Sequence, residues 1–235
     1  MDVFKAATEQ GNIEIYRFVF APVKSNMYCI LSKNEAIIID PHESNEGYEL
    51  LSSYGVNKIK IFLTHEHYDH CSGVNWFQNR FESELVCHIK CAEHIKIARN
   101  NRPLLIAFVL SEKNKKDGRN ITKEHLESYQ IFICQADTTF NDDMIYDWNG
   151  QKIYFKSSPG HSPGSCCLSF GDSVVFTGDS LLKDDPVITR FPGGSSKDYN
   201  ARTIPYLNSL KNEVLIMPGH GDPFYKNEVV LKQAQ

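Results

Sequence analysis

The stretch Ile59-Lys60-Ile61-Phe62-Leu63-Thr64-His65-Glu66-His67-Tyr68-Asp69-His70 decides how this chain is read. An apolar strand runs directly into a turn carrying three imidazoles and a carboxylate. The turn at a strand's carboxyl end is where α/β proteins place chemistry. Alternate side chains of an extended segment point the same way, so His65 and His67 can share one metal ion. Asp69 and His70 come after the backbone has turned and can face a second ion.

Further along the chain, three Gly-containing turns after strand-like runs supply matching groups. They are Pro159-Gly160-His161-Ser162-Pro163-Gly164, Phe176-Thr177-Gly178-Asp179 and Met217-Pro218-Gly219-His220. Asp179 is the natural bridge, because one carboxylate can touch two ions. Imidazole and carboxylate donors suit zinc, iron or manganese. Two ions roughly 3.5–4 Å apart can activate a hydroxide and stabilise a developing oxyanion.

The remaining sequence supplies a frame for these turns. Apolar or alternating runs predict strands over 13–18, 27–31, 36–39, 59–63, 85–89, 165–170, 173–176 and 214–217. A hairpin is expected from 144–148 to 151–155 around Asn149-Gly150, a type I′ signature. Helices are expected over 48–54, 71–81, 92–100 and 197–210, the last kinked or divided by Pro205. Residues 101–139 break the rhythm with an apolar run at 104–110, a polar basic run and a helix over 121–130. That stretch is too short for its own core. It reads as an insertion, a lid or an interface, in one domain spanning 1–235.

Composition excludes several classes. Of 235 residues, 41% are hydrophobic and 23% charged, ordinary for a globular domain. A net charge of −4 gives no electrostatic footprint for nucleic acid or an anionic membrane. No apolar run is long enough to span a bilayer, and no secretory leader is expected from the amino end. Seven scattered cysteines, an odd number, fit reduced thiols in a cytoplasm.

The motifs Thr-His-x-His-x-Asp-His, Gly-His-Ser-Pro-Gly-Ser, Phe-Thr-Gly-Asp-Ser and Pro-Gly-His-Gly resemble the metallo-β-lactamase superfamily. Within it the chain is most similar to glyoxalase II-like (hydroxyacylglutathione hydrolase-like) enzymes, in a form lacking their C-terminal helical domain. The resemblance implies an αββα sandwich, two stacked mixed sheets flanked by helices, with the site at one edge. It implies that His65, His67 and His161 bind a first metal and Asp69, His70 and His220 a second, with Asp179 shared.

The expected activity is hydrolysis of a small ester, thioester or lactone by a hydroxide activated at two divalent ions, zinc before iron or manganese. Asp69 would orient that hydroxide as the catalytic carboxylate. Other readings are a mononuclear iron enzyme like the persulfide dioxygenases, a phosphodiesterase, and a non-catalytic metal-containing binding or signalling protein. The expected partner is a small-molecule substrate, with a homodimer an option. Weaker features have blander readings beside them. Asp40 can brace metal ligands or cap a turn. Cys87, His88, Cys91 and His94 can be a small zinc site or unrelated groups. Cys71 reads as a buried small hydrophobe, and Lys183, Arg190 and Tyr199 as substrate contacts or plain surface.

Overall fold

Side-chain alternation places the central strands between two apolar layers. In β3 (Ser25–Ser32), Met27 and Cys29 join one buried cluster while Tyr28 and Ile30 join another. β4 (Glu35–Ile39) repeats the pattern, with Ala36 and Ile38 on one side and Ile37 and Ile39 on the other. Strands buried on both faces must lie in the middle of a layered structure.

The computed structural model describes residues 1–8, 10–101 and 130–234. One sheet has the order β1 (Asp2–Thr8), β2 (Gly11–Phe20), β3, β4, β5 (Lys58–Phe62), β6 (Glu82–His88) and β7 (Thr138–Phe140). It is antiparallel up to β4 and parallel from β4 to β7. The second sheet contains β8 (Asp143–Trp148), β9 (Gln151–Ser157), β10 (Cys166–Phe170), β11 (Val174–Gly178), β12 (Leu215–Pro218) and β13 (Phe224–Tyr225), in that spatial order. It is mixed because β11 and β12 run parallel and the other pairs antiparallel.

Tyr28, Ile30, Ile39 and Phe62 of the first sheet meet Phe155, Leu168, Phe176 and Met217 of the second in one cluster between the sheets. Helices α1 (Asn45–Ser53), α2 (Tyr68–Cys71), α3 (Val74–Gln78) and α4 (Ile89–Ile95) cover the first sheet's outer face through Leu51, Cys71, Phe77 and Ile95. Leu207 of the helix at Ile204–Ser209 packs on Cys167, Val175 and Ile216 outside the second sheet. The layers are therefore αββα, as expected. Among the described residues no helix is long and apolar enough to cross a membrane.

Several elements differ from the expectation. The helix expected over 71–81 is two short helices, α2 and α3, separated at Ser72-Gly73. Gly73 donates its N–H to the Pro41 carbonyl at 2.8 Å, which breaks the helical ladder. α4 starts at Ile89, earlier than 92, because His88 Nδ1 caps it by accepting from Lys90 N at 3.1 Å. The segment 197–210 becomes α5 (Ser196–Asp198), a π-helical turn (Tyr199–Thr203) and α6 (Ile204–Ser209). Pro205 has no N–H to donate, and it sits at the first positions of α6, where none is required. Strand β1 was not expected. It is an edge strand whose inward face is only Phe4, Ala6 and Thr8, with Ala6 alone buried, so its apolar alternation is weak. The hairpin is as read: Asn149 (φ 55°) and Gly150 (φ 83°) are both left-handed, as a type I′ turn requires. The lid-or-interface segment at about 101–139, with its basic run and helix, falls mostly on 102–129, outside the described residues. Its return limb lies against α2 and α3, where Tyr68 donates to the Gln130 carbonyl at 3.1 Å and Asn75 to that of Ile133 at 3.0 Å.

Candidate metal centre

Every group singled out in the four motifs arrives at one end of the sandwich. β5 delivers His65 and His67, and α2 carries Asp69 and His70. The β9–β10 loop holds His161, Asp179 follows β11, and His220 follows β12. One donor atom from each of His65, His67 and His161 lies within 4.8 Å of the other two, and Asp69, His70 and His220 form a second such group.

Asp179 stands between the groups. Its Oδ2 is 3.4 Å from His161 Nε2 and 3.5 Å from His220 Nε2, and its Oδ1 is 3.5 Å from His70 Nε2. In the second group, Asp69 Oδ2 is 3.2 Å from His220 Nε2 and 3.4 Å from His70 Nε2. Gly219 allows this approach. A Cβ there would collide with Asp179 Oδ1 and crowd His70.

Partners behind the ring fix which nitrogen of His65, His70, His161 and His220 is available. Asp40 Oδ1 accepts from Thr64 N at 2.7 Å. Its Oδ2 accepts from the Thr64 hydroxyl at 2.6 Å and from His70 Nδ1 at 3.0 Å. The Thr64 oxygen, having donated to Asp40, accepts from His65 Nδ1 at 3.0 Å. His65 Nε2 is thus left with a lone pair. It is buried and has no hydrogen-bond partner. His161 Nδ1 donates to the Ile188 carbonyl at 2.8 Å and turns Nε2 inward, 2.9 Å from His67 Nδ1. His220 Nδ1 donates to the Val23 carbonyl at 3.2 Å. Asp40 also lies within ligand distance of His65 and His70. With three donors already on its carboxylate it acts as a brace, the role outer partners play around metal ligands.

The electrostatics divide the two groups. Burial holds the His65 imidazole well below its usual pKa, lowers His67 to about 3 and lowers His161. These three rings are neutral donors at neutral pH. Burial opposes charge at His70 too, but the carboxylates of Asp69, Asp179 and Asp40 outweigh it and raise its pKa well above the usual value. Asp69 is held well below the carboxylate range by His70 and His220 despite its burial. A neutral imidazole triad, a second group of one carboxylate and two imidazoles, and an unpaired buried nitrogen fit divalent cations with nitrogen and oxygen preference.

Three supports escaped the sequence reading. Glu66, between the two histidines, is buried and accepts from Ser162 Oγ at 2.9 Å and from Gly164 N at 3.3 Å. It ties the β5 turn to the His161 loop. Asn26 Nδ2 donates to the Pro218 and Gly221 carbonyls at 2.9 and 2.8 Å, and the Tyr28 hydroxyl donates to Pro218 at 2.6 Å, clamping the His220 turn to β3. The signal for Asn26 was a polar side chain in an otherwise apolar strand. His42 is also buried, with its pKa lowered to about 4 by burial.

The weaker features are structural. His88 donates from Nε2 to the Asn141 carbonyl at 2.6 Å and accepts at Nδ1 from Lys90 N, so both its nitrogens are spent. Cys71 is buried and donates to the His67 carbonyl at 3.1 Å. Tyr199 is buried and donates to the Ser180 carbonyl at 3.0 Å, and Lys183 pairs with Glu228 at 2.6 Å. All seven cysteines are free and buried.

Comparison with known proteins identifies the family and the fold. A sequence model of the metallo-beta-lactamase superfamily matches residues 21–220. The chain is 25% identical over 213 residues to a "Probable metallo-hydrolase" of Streptococcus pyogenes, covering 89% of this chain and 84% of that protein. It is 25% identical over 213 residues to the "Probable polyketide biosynthesis zinc-dependent hydrolase BaeB" of Bacillus velezensis, covering 87% and 79%. Its fold is similar to the crystal structure of the BLEG-1 B3 metallo-beta-lactamase, with a TM-score of 0.71 at 22% identity over 91% of this chain and 95% of that one.

Proposed function

The chain belongs to the metallo-beta-lactamase superfamily, and from that premise we propose that it is a hydrolase with a dinuclear centre, cleaving a small ester, thioester or lactone. One observation carries the reading: a single carboxylate, Asp179, contacts histidines of both triads. His65, His67 and His161 would hold one ion, Asp69, His70 and His220 the other, and Asp179 would serve both. When bound, the pair of ions lowers the pKa of a water towards neutrality and polarises a carbonyl oxygen.

The chain's own groups do the rest. Asp69 is partly open to solvent and remains ionised beside His70 and His220, so it can orient the attacking water through its carboxylate. Asp40 keeps the His70 ring turned towards the centre and, through Thr64, fixes the His65 tautomer. A thiolate leaving group needs no proton from the protein, which makes thioesters the leading substrate class. The two full triads support hydrolysis over mononuclear dioxygenase chemistry, which needs only part of this set. The glyoxalase II-like motifs and the similarity to a protein named as a zinc-dependent hydrolase support zinc and a small acyl substrate. Seven buried free thiols support a reducing, cytoplasmic setting.

The test is metal analysis of protein purified without added metal, followed by thioester, lactone and phosphodiester substrates. The expected result is two ions per chain and turnover of a thioester or lactone. At most one ion after reconstitution with excess zinc or manganese sinks the dinuclear centre. Preference for a phosphodiester sinks the acyl assignment.

A further inference from the structure

The chain after Asp179 forms a loop whose apolar side chains Leu182, Val187, Ile188 and Phe191 are half-buried. It is tied to the first triad at two points. The Ile188 carbonyl accepts from His161 Nδ1 at 2.8 Å, and Ser195 N donates to the Gly160 carbonyl at 2.8 Å. Between these anchors the Gly194 N–H closes on the Phe191 carbonyl at 2.8 Å. The Phe191 ring stands edge to face against His67 and His161, with centroids 5.5 and 5.9 Å apart and interplanar angles of 87° and 86°. A ring in contact with both imidazoles forms a wall beside them, and one of them, His161, is itself pinned to the same loop by its bond to the Ile188 carbonyl.

The two sides of the centre therefore differ in what they offer a substrate. Around the second triad, Asp69 and the partly exposed His220 present polar, charged groups. Beside the first triad stands the Phe191 ring, on a loop that also carries the half-buried Leu182, Val187 and Ile188. An apolar substituent next to the reacting carbonyl gains contact on the Phe191 side.

We propose that Phe191 is a specificity-determining residue, the wall on which an unbranched apolar acyl chain packs. This rests on the acyl-hydrolase reading above and names its substrate class. The probe is a series of straight-chain carboxylates from butanoate to decanoate, the products of such a reaction, titrated by calorimetry into zinc-loaded protein. Wild-type affinity should rise with chain length. Phe191→Ala should lose about tenfold at decanoate while butanoate stays within about twofold, the scale of hydrophobic-pocket discrimination. Phe191→Leu, which keeps an apolar contact and guards against collapse of the loop, should fall between the two, with zinc content equal in all three proteins. Equal losses for short and long chains, or no length dependence in the wild type, overturn the proposal. The length pattern without any cleavage of the matching thioesters would instead sink the hydrolase reading and leave the wall in place.

Discussion

The two triads converge on one carboxylate yet are built from opposite materials. The first is three imidazoles made neutral by burial, with His65 at 1% and His161 at 3% exposure. The second mixes Asp69 with His70 and His220, and side-chain exposure reaches 15% at Asp69 and 14% at His220. Its charges are already paired, with His70 favouring the protonated form and Asp69 the ionised one. A cation entering the first triad displaces nothing charged. A cation held by the second group would compete with the proton that the surrounding carboxylates favour on His70, so its binding is expected to weaken more steeply as pH falls. The same end of the fold thus sets a more buried group of histidines beside a group that is slightly more open to solvent.

Removing the shared group should erase that distinction altogether. Asp179→Ala is expected to empty both sites and abolish hydrolysis together. The loss should exceed the roughly 10–100-fold that removal of an outer partner costs. Elemental analysis of the purified variant checks it. Retention of two ions with near-normal turnover would mean that Asp179 is not the bridge.

The outer partners allow the triads to be separated. Thr64→Val removes only the hydroxyl that holds His65, and should weaken the first ion about 10–100-fold. Asp40→Asn takes the acceptor from both Thr64 and His70, so it should weaken both ions by a similar factor. Asparagine is the right replacement because Asp40 sits at φ 53°, a left-handed conformation that Asn tolerates. Sequential zinc release to a chelator, resolved into two phases, reads each site. If Thr64→Val slows or speeds both phases equally, the relay from Asp40 through Thr64 to His65 does not act on one site alone.

Much of this arrangement could be read from the chain. His65, His67, His161, Asp179 and His220 stand in short segments just after strands, and Asp69 and His70 follow on the first helix after β5, so residue type and spacing within the four motifs marked them in the sequence. The core strands were legible for the same reason, since 36–39 and 59–63 are nearly unbroken apolar runs. Three of the four edge strands were not: β1 is mostly exposed, and β7 and β13 are only three and two residues long, whereas β8 was marked by its hairpin turn. Glu66 was hidden because a charged residue between two histidines reads as solvent-facing, whereas its acceptors are used by the His161 loop. The dual role of Asp40 needed the third dimension, because its partners lie 24 and 30 residues away.

The smallest expected effect lies far from both triads and serves as their control. Inside the sandwich, Glu84 accepts from Lys60 Nζ at 2.6 Å, Thr138 Oγ1 at 2.7 Å and the Tyr146 hydroxyl at 2.8 Å. Partial burial pushes its pKa up, but these three donors outweigh it and the net shift is downward. A carboxyl with a depressed folded pKa contributes stability that is complete above its unfolded value, about 4.3, and fades as pH falls through the folded value. Glu84→Gln should therefore cost no more than about 1 kcal/mol near neutrality, since the pair is partly exposed to solvent. The gap to wild type should close below about pH 4, as the wild-type carboxyl takes up its proton. Urea melts across pH 3–8 measure it, and zinc content should not change. A gap that widens in acid would show that Glu84 is held protonated by its burial. A change in zinc binding would show that this end of the sandwich is coupled to the metal centre after all.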